Sequence, residues 1–538
     1  MRRSAGRGRG PAGLGKLAVA VAAAGLALCS CTVGPSTRPP VAVQGPSAVD
    51  GAPEPPQRRP PPPPGPVVPV PDVGRADAVD FIDCTEDLQA ILPVRIPSDR
   101  PLRFECADIP VDADSDTGRR RQSSIGLMRA SLDNQPPGTR PPLLILGDSD
   151  GETGTTRAAR LAATVPASLL SHFDLIGMDR RGEGTSRLDC APPDLREDIL
   201  NTDVSGPDPR AVDRLLEDAR QIVQECYLTE GDTLTRYDTA HTVQDVERAR
   251  RLLGVRTLSA LGLGDGARAL SVWAQGSPSS VGRVVLDSPP DPTQDAIGAA
   301  EARATAAEAT FDAFAKDCAA RPGCPLGADP RATLRQLAEQ LRNRPEPGPD
   351  GDQLTGTGML HAVLIGLDDP EGWPALTAAI AEAQRGSSTG LLRYLDQMVG
   401  LNGRFDLSLA TTCNDTTQRV SPPQVTGLIA KWRTDHPVFG AVMAQRLLMC
   451  TAWPVPAEPA RPGPANGAPP MLVLATALSP RQPLQGYQRA ADQLAPARVV
   501  NWQGAGRGAY PRTPCVTSAV DALWVNGTVP PASVLCPP

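Results

Sequence analysis

Six short, almost wholly apolar segments set the strongest limit on how this chain can fold: residues 143–146, 173–178, 257–261, 284–286, 471–475 and 498–502. Strands buried on both faces read as continuous apolar runs, whereas half-exposed strands alternate. Helix-length stretches separate the six, so the pattern predicts an α/β protein built on a mostly parallel sheet. Between the fourth and fifth segments lies a long insertion, 289–470, that reads as several amphipathic helices, for example over 296–316 and 375–385. An insertion of that size at the ends of the strands is expected to form a lid or cap. At 538 residues the chain can bury a large core. It shows no internal repeat, which leaves a solenoid or propeller unsupported.

The N-terminus reads as an export signal. Residues 1–30 hold no acid and carry Arg2, Arg3, Arg7, Arg9 and Lys16 ahead of an apolar run over 17–28, the layout of a signal peptide. That run is too short to span a bilayer comfortably. Ser30-Cys31 then resembles a bacterial lipobox, with Cys31 acylated after cleavage; Cys29 fits worse because Leu28 stands where a small residue belongs. Of the 12 cysteines, removing Cys29 with the signal and giving Cys31 to the lipid leaves an even number, as an exported disulfide-bonded protein requires. Residues 31–72, rich in Pro, Gly, Ser and Val with a proline run over 60–64, cannot bury enough apolar surface to fold and are expected to form an extended tether. The chain carries 53 Lys and Arg against 60 Asp and Glu, and losing the signal deepens the acidic excess. Nucleic acid is therefore excluded as a natural partner.

In their order the segments resemble the secreted bacterial tripeptidyl aminopeptidase family of serine α/β-hydrolases with its TAP-like C-terminal region. Phe173-Asp174-Leu175-Ile176-Gly177-Met178-Asp179-Arg180-Arg181-Gly182-Glu183-Gly184-Thr185-Ser186 is similar to that family's strand and turn; Tyr237-Asp238-Thr239-Ala240, Leu261-Gly262 and Val284-Val285-Leu286-Asp287 follow where the family has their equivalents. The resemblance implies an α/β-hydrolase core over 73–288 and 471–538, the latter TAP-like, with a helical lid over 289–470. It also implies five disulfides: Cys84 with Cys106, Cys190 with Cys226, Cys318 with Cys324, Cys413 with Cys450, and Cys515 with Cys536. Zinc is the competing reading of cysteines, but only Cys318 and Cys324 are close in sequence, without a nearby histidine, so no metal site is expected.

The same resemblance locates a degenerate catalytic site. A serine hydrolase of this fold presents its nucleophile in G-x-S-x-G on a tight strand-to-helix turn; here the turn is Gly262-Leu263-Gly264-Asp265-Gly266, and Gly264 has no side chain with which to form an acyl-enzyme. The acid's position, in Ala477-Leu478-Ser479-Pro480-Arg481-Gln482-Pro483, holds Ser479. The base's position, in Gly504-Ala505-Gly506-Arg507-Gly508, holds Arg507, which stays protonated and cannot accept a proton. None of the four histidines, His172, His241, His361 and His436, lies where the base should follow. Asp265 could act as an aspartate nucleophile, yet that register puts Leu263 at a required small position and still needs a histidine. The family's glycine-rich oxyanion loop is replaced by Gly147-Asp148-Ser149-Asp150-Gly151, followed by Glu152, whose carboxylates would repel an oxyanion.

No catalytic residue and no cofactor is therefore expected. Asp148, Asp150, Glu152, Asp265 and Arg507 should converge at the C-terminal edge of the sheet, where carboxylates repel unless a cation compensates them. Arg507 is expected to pair with Asp265 or Asp148, closing the oxyanion pocket or selecting a cationic group such as a peptide amino terminus; calcium is a weaker option, because Asp148-Ser149-Asp150-Gly151 is only a fragment of a calcium loop. The leading expectation is a non-catalytic envelope protein, lipid-anchored to the outer face of the membrane, that binds a peptide or small molecule in a lid-covered cleft or serves as a scaffold. The alternative function is an active serine-type peptidase or esterase with an unrecognised constellation, and the alternative localisation is secretion without the anchor.

Overall fold

The computed structural model describes residues 67–75, 79–91, 96–98, 100–111, 123–349, 351–400, 403–456, 458–495 and 497–538. The signal peptide, Cys31 and most of the tether fall outside the described residues.

Ten strands form one sheet: β1 (Ile82–Asp83), β2 (Leu102–Val111), β3 (Ser123–Leu132), β4 (Pro142–Leu146), β5 (Asp174–Met178), β6 (Leu258–Leu263), β7 (Val281–Asp287), and, beyond the small hairpin of β8 (Glu346–Pro347) and β9 (Gln353–Leu354), β10 (Met471–Leu478), β11 (Ala497–Ala505) and β12 (Val534–Cys536). Their spatial order is β1-β2-β3-β5-β4-β6-β7-β10-β11-β12. The pairs from β5 through β12 are parallel, and β1, β2, β3 and β5 pair antiparallel at one end. Every residue of β4, β5, β6 and β7 is buried, which is why these segments are legible as unbroken apolar runs. β2 and β3 are different. β2 interleaves buried and exposed positions, and Glu105 sits opposite Arg129 in the register with a buried ion pair of 2.7 Å between them, so charge interrupts the apolar signal of two long strands.

Helices cover both faces of the sheet, among them Gly154–Thr164 and Pro514–Asn526 on one side and Thr239–Leu252 and Asp265–Gly276 on the other. Their starts follow capping chemistry: Thr153 accepts from the Thr156 amide at 3.2 Å, and Asp238 accepts from the His241 amide at 2.8 Å. His241 also bonds the same carboxylate through Nδ1 at 2.7 Å, a capping contact.

Between β7 and β10 the described chain is helical apart from the β8–β9 hairpin. The layer begins with Ala296–Ala319, capped by Asp295 on the Gly298 amide at 2.7 Å, and includes Trp373–Gln384. Its core also takes in residues between Leu188 and Leu234, among them those of the helices Pro193–Asn201 and Ala211–Glu230. The cap is thus built from two stretches of chain, and the boundary drawn from sequence at residue 289 misses the first, because amphipathic helices look alike whichever layer they join. Phe311 packs edge-on to Phe439 and Phe314 edge-on to Trp373, with ring centroids 6.0 and 5.7 Å apart; each fully buried phenylalanine contributes about 1.5–3 kcal/mol.

Five disulfides join Cys84–Cys106, Cys190–Cys226, Cys318–Cys324, Cys413–Cys450 and Cys515–Cys536. Such a number places the folded chain in an oxidising, extracytoplasmic compartment. Among the described residues, no helix is long and apolar enough to cross a membrane.

Candidate functional site

Three loops meet where the parallel strands end. β6 runs into the helix Asp265–Gly276 through Gly264, whose φ of 57° and ψ of −119° make the sharp strand-to-helix reversal. An L side chain rarely adopts that conformation. A Cβ on Gly264 would fall well inside van der Waals contact with Oδ2 of Asp148, so the Asp148 carboxylate occupies the space that any side chain at position 264 would enter.

Asp148 is held there by Arg507, whose Nη2 forms an ion pair with the Asp148 carboxylate and a second, at 2.7 Å, with Asp150. The same guanidinium donates to the Asp150 carbonyl at 3.2 Å and lies flat on Gly151, where a Cβ would stand 2.5 Å from Nη1. Glycine at 151 is therefore the residue that admits Arg507. The loop carrying Arg507 is fixed from below by Asp287, at the end of β7, whose buried carboxylate accepts the amides of Ala509 and Tyr510 at 3.0 Å each. Burial raises the Asp287 carboxyl above its ordinary range, opposed by the nearby Arg157 guanidinium.

Arg507 and Asp265 belong to separate ion pairs. Asp265 instead accepts from the Ser149 amide at 3.0 Å, from the Ser149 hydroxyl, and faces Arg180 at 2.5 Å. Glu152 turns away too, to Arg160 and, at 3.7 Å, to Arg157. Of the two pairings open to Arg507 from sequence, the structure has the one with Asp148, because Arg180, delivered by the turn after β5, reaches Asp265. The five charges share one edge of the sheet, but in three separately compensated groups.

These bonds also determine what the loop after β4 can offer an oxyanion. The Asp148 amide donates to the Glu152 carbonyl at 3.2 Å, the Gly151 amide to the Asp148 carbonyl at 2.8 Å, and the Ser149 amide to Asp265. Three backbone donors of the loop are thereby engaged within the fold. Ser479 is buried after β10, and its hydroxyl accepts the Arg481 amide at 3.2 Å. Both Asp265 oxygens are taken by Ser149 and Arg180, leaving it poorly placed to attack a substrate. As for metals, Cys190, Cys226 and Asp406 are grouped, but the two sulfurs form a disulfide and Asp406 accepts from Cys190, Ala191 and Arg196.

Above these loops, under the cap, is a cavity of about 460 Å³, the size of a small-molecule site. Arg507, Arg481, Asp150 and Leu263 line it; Gly264, Asp148 and Ser479 do not. Arg481 is the residue that sequence reasoning passed over. It bridges Asp150 to Asp368 of the cap, donating to Asp368 through Nε at 2.9 Å. Its signal was available two positions after Ser479; Asp368, in the middle of an apolar helical region, gives none. Burial pushes the Asp150 carboxyl up, but Arg481, Arg303 and Arg446 outweigh it and hold the group well below the ordinary carboxylate range.

The strand order, the glycine reversal after β6 and the helical cap define an α/β-hydrolase-fold protein. Residues 159–365 match the α/β hydrolase fold family, and residues 436–536 match the TAP-like protein family. The chain thus has an α/β-hydrolase fold with a TAP-like C-terminal match, and it is distantly similar to several curated proteins. Carboxylesterase B of Mycobacterium tuberculosis is 28% identical over 82% of this chain and 87% of its own length. Serine protease Hip1 of the same species is 27% identical over 80% and 87%, and the tripeptidyl aminopeptidase of Streptomyces lividans 22% over 86% and 87%.

Proposed function

We propose that this chain is a non-catalytic TAP-like α/β-hydrolase of the cell envelope, exported, lipid-anchored through Cys31, and retaining the cavity under its cap for a ligand. The observation that carries the reading is the relation of Gly264 to Asp148. The turn that would present a nucleophile bears no side chain, and the space for one is filled by a carboxylate locked to Arg507. Arginine in place of a base, and loop amides engaged internally, remove the proton acceptor and the charge stabilisation on which acyl transfer depends. The anchor rests on Ser30-Cys31 and on the disulfides, which use every cysteine except Cys29 and Cys31.

The names of the relatives describe ester and peptide hydrolysis, and these define the test. The purified chain is treated with a fluorophosphonate probe and assayed on short acyl esters and tripeptide anilides beside an active relative. No labelling and no turnover above buffer is expected; stoichiometric labelling would establish an active hydrolase instead. Intact mass of the exported protein should show an acylated Cys31 as its first residue, and an unmodified N-terminus further along would refute the anchor.

A further inference from the structure

The charges around the cavity do not balance. Its carboxylates are Asp150, Glu152, Asp368 and Asp369, and each is already engaged: Asp150 with Arg481 and Arg507, Glu152 with Arg160, Asp368 with Arg481, and Asp369 with Arg512 at 3.2 Å. Four further arginines line the same cavity, and of these Arg157 is paired with Glu152 and Asp287. Arg303, on the helix Ala296–Ala319, reaches Asp150 only at 3.5 Å, and its buried Nε has no hydrogen-bond partner among the described residues. Arg446, at the end of the helix Gly440–Arg446, and Arg404 have guanidinium groups with no hydrogen bond or ion pair among the described residues.

Near Arg303 and Arg446 the cap also places His361, from the helix Gly356–Gly366, only 7% exposed and with no hydrogen-bond partner for its ring among the described residues. Burial, then the proximity of Arg446 and Arg303, pulls its pKa down to about 3, so it is a neutral ring with one N–H to donate. Burial and Arg303 likewise bring Arg446 down to about 9, against the opposing pull of Asp150. With the carboxylates engaged elsewhere, gathering these guanidinium groups under the cap is costly, and proteins retain such costs at sites where something else supplies the missing partner. One part of the wall is apolar, with Ile199, Leu200, Ile365, Met398, Phe405 and Met449.

Resting on the reading of the cavity as a binding site, we propose that it takes an amphipathic anion, with a carboxylate or phosphate head against Arg303, Arg446 and His361 and an apolar chain along the Leu200, Phe405 and Met449 wall. This differs from the cationic group that the sequence offered as one of two consequences of the Arg507 pairing. The acids of the loop after β4 are engaged within the fold, and the guanidinium groups left over stand on the cap.

The test is calorimetric titration of the purified exported chain with four probes below their micelle concentrations: dodecanoate, dodecyl phosphate, dodecanol and dodecyltrimethylammonium. At least one of the two anions is expected to bind at least about tenfold more tightly than the alcohol and the cation, the difference expected of one charge-assisted hydrogen bond; which anion is preferred identifies the head. Arg446→Met should weaken the preferred anion by at least about tenfold while raising the melting temperature of the ligand-free protein, because it removes one of several mutually repelling cations. Arg303→Gln should weaken the anion in the same direction. Equal affinity for the alcohol or the cation, no binding by any probe, or unchanged anion binding in Arg446→Met would overturn the proposal. These outcomes are independent of fluorophosphonate labelling, which tests the absence of catalysis.

Discussion

Asp148 and Gly264, far apart in sequence, share one volume: the carboxylate of the first stands where the side chain of the second would be. The loop after β4 fills the space beside the turn, and Arg507 holds it there, so residues 148, 264 and 507 form one packed unit.

Restoring serine by Gly264→Ser should therefore destabilise the protein as well as fail to restore hydrolysis. The new side chain meets Asp148 and adopts a positive φ, together costing about 1–3 kcal/mol. Urea unfolding checks the first, and fluorophosphonate labelling the second. Adding Asp148→Gly should recover part of the loss, and a double-mutant cycle should show the coupling. Rebuilding a triad with Ser479→Asp and Arg507→His needs Asp148→Gly as a fourth change, and activity from the first three alone would contradict this arrangement.

Arg507→Met leaves Asp148 and Asp150 facing each other in a buried site without their shared cation. A loss of about 3–5 kcal/mol is expected, as for breaking one side of a buried pair. Because the pair is buried, the loss should change little between low and moderate salt in denaturant titrations. Arg507→Lys should recover only part of it, since an ammonium cannot reach both carboxylates and the Asp150 carbonyl with one planar fork.

Glu183 gives a pH dependence with a definite sign. Burial, then the adjacent Asp179, pushes its pKa up to about 8 from an ordinary value of 4.5. Between those values the folded protein keeps a proton that the unfolded chain has released, so stability is fully present below about pH 4.5 and is lost as pH rises through about 8. Glu183→Gln keeps an oxygen for the Arg180 amide, which the acid accepts at 2.8 Å. It should leave the melting temperature near pH 4.5 almost unchanged, raise it at pH 8, and flatten the profile between; a parallel profile would show the group titrating normally.

The Cys413–Cys450 disulfide joins cap segments 37 residues apart, and Cys450 lines the cavity. Replacing both cysteines by serine should cost about 3–4 kcal/mol on loop-entropy grounds. The cost should fall mainly on the cap, so hydrogen exchange should quicken in the helices Phe405–Asn414 and Gly440–Arg446 before it does in β4 to β7.

What sequence alone determined were the features written in consecutive residues. Strands buried on both faces appear as apolar runs, and the glycine turn around Gly264 and the cysteine count survive without knowledge of neighbours. β2 and β3 escaped because the Glu105–Arg129 pair is a property of two strands together. The charge cluster was legible as a list of residues meeting at the sheet edge, but which acid Arg507 would take depended on Arg180 arriving from the turn after β5 to claim Asp265. The sign of the cavity was decided still further from local sequence. Arg303, His361 and Arg446 stand on three cap helices separated by many residues of ordinary amphipathic pattern, and only packing those helices over the sheet brings the two guanidinium groups and the imidazole into one space. Coulombic and steric balance depends on distances through space, and the tertiary structure alone sets those.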